Sequence, residues 1–477
     1  MKRKFLTNLT LLIFLNLLVK PFWVLGIDLT VQNTVGAADY GFYFSLLSFS
    51  MLLNIVQDMG IANYNNRAIA RNHELLPELL PNTILLKLFL AVVYFTVSLI
   101  IAYVIGYQWL QVKLLIILLF NQFLNSLNLY LRSNISGLQL FRTDSLLSVT
   151  DRLLMIVICS FLLWGNITSS PFRIEWYVYA QTAAYVLTTA LITLLVLKRA
   201  KLKKLRIDLN VTKKFLQKSY PYAILGFLMI LYYRTDSVML ERMLPDGKEQ
   251  AGIYAQGFRI LDAASMLGFL FAGILLPMFA RMIKQREPVL QLFRFSFFLL
   301  IIPSVTGAIA LYLYSFEIMD LMYLEHAGKA SEIFGVLMIS FVFISVSIIC
   351  GTLLTANGSI RELNIIALST LLLNIFLNII LIPRYQALGS AIASMTSQFL
   401  TAALQMLVLG KVFKTRPSAA LIVKLTAFIL VLIIAGILVT GLDIQWFYGF
   451  FLIIAAGTAL AFGLRLLSVR EIRESLL

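Results

Sequence analysis

The sequence predicts an all-α polytopic membrane protein of about fourteen transmembrane helices, and three observations carry that prediction. Of the 477 residues, 60% are hydrophobic and only 13% are charged, and the mean hydropathy is +0.89; a water-soluble domain is nearer ~45–50% apolar. Apolar windows of about 20 residues, the length that crosses ~30 Å of hydrocarbon, recur along the whole chain. The Lys and Arg residues concentrate in alternate connecting segments, as they do when one side of a membrane retains positive charge.

The first six windows cover Leu9–Leu29, Tyr40–Ile61, Ile84–Tyr103, Leu114–Leu131, Leu146–Trp164 and Trp176–Leu197. The next six cover Pro221–Leu240, Gly252–Phe279, Val289–Tyr312, Ile333–Leu354, Leu363–Ile382 and Ala387–Leu409, followed by Leu421–Thr440 and Trp446–Leu467. Met1-Lys2-Arg3-Lys4 and the apolar run behind it have the outline of a signal peptide. Lys20-Pro21 interrupts that run and no small-residue cleavage site follows, so the segment reads as a retained first span. With the N-terminus inside, the inner segments collect Arg67, Arg71, Arg132, Arg142 and Arg152 among others, together with the basic stretch from Lys198 to Lys218. The outer loops hold far fewer, among them Arg173, Arg242, Lys248, Lys329 and Arg384. Both termini are therefore expected in the cytoplasm.

A repeat divides the chain. The first span ends in Asp28 and the second opens Tyr40-Gly41-Phe42-Tyr43; the seventh ends in Asp236 and the eighth opens Ala251-Gly252-Ile253-Tyr254. Two parallel halves follow: a bundle over 1–200, a basic linker over 201–218 lying on anionic headgroups, a second bundle over 219–414, and two further helices over 415–477.

Several function classes drop out. The net charge of +16 is accounted for by inner loops, without nucleic acid. Cys159 and Cys350 both lie in apolar runs, and His73 and His326 lie in loops with no second ligand at helical spacing, so no metal site or cofactor is expected. No outer loop exceeds roughly 20 residues, the length of a single span, which leaves no room for the catalytic loop of a glycan polymerase; Glu317, Asp320 and Glu325 read as a solvated rim, and the protein is expected not to be an enzyme.

An ionisable side chain kept in hydrocarbon costs roughly 2.5–3.5 kcal/mol on insertion scales and is a functional candidate by default. Lys20 sits about 16 Å into the first span, too deep to snorkel, and Pro21 beside it frees a backbone carbonyl. Arg234 falls in the outer half of the seventh span and Arg259 about 10 Å into the eighth, where they could share an aqueous cavity with Lys20. Asp236, two residues from Arg234, points elsewhere on the helix. Asp262, three residues from Arg259, is its natural neutralising partner. Asp58 ends the second span ahead of Arg67 and Arg71 and reads as a cap or inner-gate ion pair. Asp28 is a carboxylate near the outer end of the first span, suited to exchange with protons or sodium. Pro277 and Pro383 read as helix ends or kinks, and Asn374 and Asn378, four apart, as an interhelical hydrogen-bonding pair.

Taken together, Arg234-Thr235-Asp236, Gly252-Ile253-Tyr254 with Arg259, Asp58-Met59-Gly60-Ile61 with Arg67, Asn374-Ile375-Phe376-Leu377-Asn378, Ile382-Pro383-Arg384-Tyr385 and Gly389-Ser390-Ala391-Ile392-Ala393 resemble the polysaccharide-biosynthesis flippases. These are the Wzx-type O-antigen and capsule repeat-unit translocases, within the superfamily that also holds the lipid II flippases and the MATE multidrug exporters. The resemblance implies two six-helix bundles in a V around a central cationic cavity, worked by alternating access in a bacterial cytoplasmic membrane. It implies an undecaprenyl-diphosphate-linked glycan as substrate, membrane lipids and a glycan polymerase of the same pathway as partners, and coupling to a proton or sodium gradient. The lipid II branch carries cavity basic residues where Lys20 and Arg259 fall, but also an arginine within its second span, which this chain lacks; the Wzx-like assignment is therefore preferred. The competing readings are a MATE-type cation-coupled exporter, with Asp28 as its acid, and a lipid II flippase.

Overall fold

The computed structural model describes residues 14–16, 18–62, 65–66, 69, 72–165, 170–200, 209–415 and 419–466, with side chains throughout except at 209–223, 225 and 267. Arg67, Arg71 and the first part of the basic linker, 201–208, lie outside the described residues. Among the described residues the chain is helical, with no strand.

In chain order the helices are α1 (Leu29–Leu52), the short α2 (Ile55–Asp58), α3 (Leu76–Val104), α4 (Trp109–Gly137), α5 (Phe141–Trp164), α6 (Ile174–Ala200), α7 (Leu209–Met243) and α8 (Gly247–Gln285). They continue with α9 (Val289–Leu313), the short α10 (Ser315–Met322), α11 (Ala327–Asn357), α12 (Ile360–Val412), α13 (Ala419–Thr440) and α14 (Trp446–Gly463). Eleven helices among the described residues are long and apolar enough to cross a membrane, fewer than the fourteen windows of the sequence. Part of the difference is continuity. The span that includes α1 runs from Phe14 to Asp58 and covers most of the first two predicted windows; α12 holds the eleventh and twelfth. Inside α1 the break is at Gly36 at φ 82° and inside α12 at Gln386 at φ 53°, and a turn at Leu53–Asn54 separates α1 from α2. The predicted seventh window lies in α7, which is not among the eleven.

Local chemistry explains the ends. Gln108 and Gln111 form a reciprocal capping box that starts α4, satisfying amides that the first turn leaves orphaned. Gly358 at φ 84° stops α11, and the Ser359 N–H returns to the Leu354 carbonyl at 3.0 Å, the left-handed closure that glycine permits without a Cβ penalty. Pro277 stays inside the continuous α8, whereas Pro383 lies three residues before the break at Gln386.

Two compact units result, Met1–Glu241 and Arg242–Leu477. In the first, α4 packs on α1 and α6, and α5 packs on α6; an apolar cluster that includes Ile61, Ile69, Leu80, Leu90, Tyr130 and Ile135 fills its α3–α4 end. In the second, α11 is the central helix, packed against α8, α9, α10 and α12, while α13 and α14 pack on each other and on α9. Gly257 permits the α8–α11 contact, since a Cβ there would sit 3.1 Å from the Phe334 Cα.

Candidate functional site

The first unit gathers its charges around an irregular stretch of the first span. Pro21 cannot donate to the helical ladder, and from Trp23 to Asp28 the chain adopts a π-helical turn before α1 resumes. Such wide turns recur at functional sites because they re-aim side chains. Here the turn delivers Trp23 and Asp28 to the interior of the unit. Asp28 is 2% exposed and accepts hydrogen bonds from the Tyr40 hydroxyl at 2.7 Å and the Tyr177 hydroxyl at 2.5 Å.

Lys20, one turn before this stretch, lies within electrostatic reach of Arg152, Asp151 and Arg132. The Arg152 Nε is 3.6 Å from the Asp151 carboxylate, and its guanidinium carbon lies 5.2 Å from the centre of the Trp23 ring. Trp23 also stacks on Tyr177, with centroids 5.8 Å apart and planes at 7°. Tyr43, Tyr177 and Tyr185 lie close to the guanidinium. Arg132 donates through Nε to the Asp144 carboxylate at 2.9 Å and through Nη2 to the Asp144 carbonyl at 3.4 Å. Three cations thus face two carboxylates. Arg152 and Arg132 keep 27% and 22% of their side chains exposed. An arginine carries five N–H donors in a planar fork suited to phosphate oxygens.

A second polar cluster lies where α2 meets α3 and α4. Lys87 of α3, 2% exposed, donates to the Ser126 hydroxyl at 2.8 Å, to the Gln57 main-chain carbonyl at 3.2 Å and to the Asp58 carboxylate at 3.4 Å. Asp58 is therefore paired with a residue of the third span.

The remaining predicted residues fall as follows. Arg234 and Asp236 lie on α7 in the first unit, Arg234 half-buried and Asp236 buried. Arg259 and Asp262 lie on α8 in the second unit, both half-buried. Asn374 and Asn378, read from the sequence as an interhelical hydrogen-bonding pair, bond instead to each other within α12, the Asn378 amide donating to the Asn374 side-chain oxygen at 3.2 Å, and Ser390 beyond the break donates to Asn378 at 2.8 Å.

The sequence pointed to Lys20, Asp28 and Asp58 but missed the residues that surround them. Arg152 is counted above with the inner segments, yet α5 begins at Phe141, which places Arg152 about 16 Å along the helix, within the span. Lys87 sits in the run Ile84-Leu85-Leu86-Lys87-Leu88. The rule that singled out Lys20, an ionisable residue inside an apolar window, applies equally to both.

The fold is that of the transporters of the MOP superfamily. The chain superposes on a lipid II flippase MurJ in an inward closed conformation with a TM-score of 0.69 at 15% identity, covering 96% of this chain and 97% of that one. It superposes on an inward-facing MATE family multidrug resistance transporter with a TM-score of 0.66 at 15% identity, over 83% and 96%. A MOP superfamily transporter from Pyrococcus furiosus gives a TM-score of 0.58 at 15% identity, over 85% and 94%. A comparison with curated proteins gives no match. The profile of the polysaccharide biosynthesis protein family matches residues 5–283, more than half of the chain, and the chain belongs to that family.

Proposed function

We propose that this protein flips undecaprenyl-diphosphate-linked oligosaccharide repeat units, of the O-antigen, capsule or exopolysaccharide kind, from the cytoplasmic to the outer leaflet by alternating access. The observation that carries the reading is the cluster of Lys20, Arg152 and Arg132, three cations against Asp151 and Asp144, inside a membrane unit of a polysaccharide-biosynthesis protein. A diphosphate is the anion that such a cluster suits, because charge-assisted bonds from arginine are short, can be bidentate, and strengthen where water is scarce. Trp23 already carries Arg152 and Tyr177, so it serves to hold the guanidinium in place. Arg234 is a further candidate phosphate-binding cation of the first unit, and Arg259 is one of the second, with Asp262 as its neutralising neighbour. Asp28 and Asp58 are the carboxylates through which an ion gradient would reset the cycle. The protein performs no covalent chemistry in this reading, and both of its ends lie in the cytoplasm.

Deleting the gene tests it directly: the lipid-linked oligosaccharide should pile up on the inner leaflet, and complementation should fail with Lys20→Gln or Arg152→Gln while the protein still inserts. A deletion strain with no such accumulation contradicts the reading. One observation favours a second reading, a MATE-type exporter: Asp28 is a buried carboxylate in a fold shared with MATE transporters. An organic cation would be repelled by the basic cluster, and the exporter reading requires that the deletion strain become sensitive to cationic dyes.

A further inference from the structure

Lys87 has no role in the path just described, yet few sites in the chain place a full charge so deep. It lies about 16 Å along α3, beyond the reach of snorkelling, with 2% of its surface exposed. Its three ammonium donors meet three acceptors: the Ser126 hydroxyl, the Gln57 main-chain carbonyl and the Asp58 carboxylate. Neutralising Asp58 does not explain this arrangement. The Asp58 side chain is 29% exposed and can be solvated in part without a lysine, and a buried ion pair gives weak net stabilisation over a well-packed apolar one.

The Gln57 carbonyl is the more telling contact. The second span is not continuous here: Leu53 and Asn54 form a turn, the helix Ile55–Asp58 lasts four residues, and Met59 and Gly60 follow at φ 41° and 74°. Carbonyls at a helix end lack intrahelical partners and carry partial negative charge. Lys87 satisfies one of them and, through Ser126, ties the interrupted span to α4. The same segment holds unused polar capacity. Gln57 is 1% exposed and neither atom of its side-chain amide has a hydrogen-bond partner among the described residues; Asn54 donates to Gln122 at 3.4 Å, but its own oxygen has none among them. Buried amides are nearly always paired, so a segment with an unpaired one has donors and acceptors for a second arrangement.

We infer that Lys87 is a positioning residue for translocation: it holds the interrupted second span, Leu53–Gly60, in register against α3 and α4 by its bond to the Gln57 carbonyl. The inference rests on the flippase reading for its effect on transport, but the contact itself can be tested without any substrate. Ala62, two residues past the break, is replaced by cysteine, and its rate of maleimide labelling is measured in purified protein in nanodiscs; the native Cys159 and Cys350 are buried and set the background. In this background Lys87→Met should raise the labelling rate at least threefold and lower glycan export at least tenfold at unchanged membrane insertion. Lys87→Arg, which keeps a donor for the carbonyl, should recover part of both. The double variant Lys87→Met/Asp58→Asn should behave like Lys87→Met. A labelling rate fully restored in that double variant would show that the lysine only balances Asp58, and an unchanged labelling rate in Lys87→Met would equally overturn the inference. If Lys87→Met does not insert, Ser126→Ala, which removes one of the three acceptors, takes its place: a raised labelling rate supports the inference and an unchanged one overturns it. A deletion strain that accumulates no glycan would sink the flippase reading and leave the labelling result to stand by itself.

Discussion

The two units bury polar groups in different ways. The first buries charge: Asp28 between two tyrosine hydroxyls, Lys87 against Asp58, and Lys20 beside the Arg152–Asp151 and Arg132–Asp144 pairs. In the second, where Arg259 and Asp262 sit on α8, neutral groups supply several of the interior contacts among the described residues. Ser304 meets Ser345 at 2.9 Å, Ser390 meets Asn378, and Gln250 accepts from the Ala387 amide at 3.4 Å beside the break in α12. His326 and Glu249 approach to 3.4 Å as partly exposed side chains. The sequence repeat led to the expectation of two parallel halves; the Lys87–Asp58, Arg132–Asp144 and Arg152–Asp151 pairs all lie in the first. Neutral bonds can be exchanged during motion at little cost, whereas an unpaired buried charge cannot be left for long.

The comparison can be broken most severely at Asp28. Asp28→Ala would leave the Tyr40 and Tyr177 hydroxyls without their acceptor; at ~1–3 kcal/mol for each orphaned group, thermal unfolding in detergent should show a loss of about 2–6 kcal/mol. A loss below ~1 kcal/mol would mean that the carboxylate is readily replaced by water. Next comes Arg152→Gln. Removing a charge-assisted contact to a phosphate costs ~2–3 kcal/mol, so export should fall about thirty- to hundredfold with little change in unfolding temperature. The matching change in the second unit is Asn378→Leu, which removes its bond to Asn374 and leaves one buried hydroxyl, that of Ser390, without its acceptor; at ~1–3 kcal/mol for that one group the loss should stay below that of Asp28→Ala, and an equal loss would erase the distinction between the units. Smallest of all is Lys113→Ala. Its ammonium lies 5.3 Å from the Trp109 ring centre, and an exposed contact of that kind contributes ~0.5–1 kcal/mol, so both stability and export should stay near those of the parent.

Much of the architecture was legible in the sequence because hydrocarbon enforces it. A window of apolar residues must be helical where no water can satisfy the backbone, and the predicted windows fall mainly on helices where the residues are described, the turns at Leu53–Asn54 and Met59–Gly60 in the second window being exceptions. Continuity was harder to read. The breaks at Gly36 and Gln386 depend on single residues at positive φ, and Gln386 carries no sequence mark beyond Pro383 upstream. The site was legible one residue at a time and illegible as a set. Lys20-Pro21 and Asp28 announce themselves by depth, but the meeting of Lys20 with Arg132 and Arg152 is a contact between helices far apart in sequence. The π-helical turn that brings Trp23 beneath Arg152 follows from packing that no periodicity reveals. Arg152 was obscured differently, by a count of charges that sorted it with a loop before asking how far into a helix it lay.

The central claim is that the basic cluster of the first unit takes the diphosphate of a lipid-linked glycan. Its most direct test is the affinity of the purified protein for a short-chain prenyl-diphosphate oligosaccharide. Lys20→Gln and Arg152→Gln should each weaken binding at least tenfold, about 1.4 kcal/mol, while Asn378→Leu leaves it unchanged. Parent affinity in Arg152→Gln, or an equal loss in Asn378→Leu, would contradict the claim.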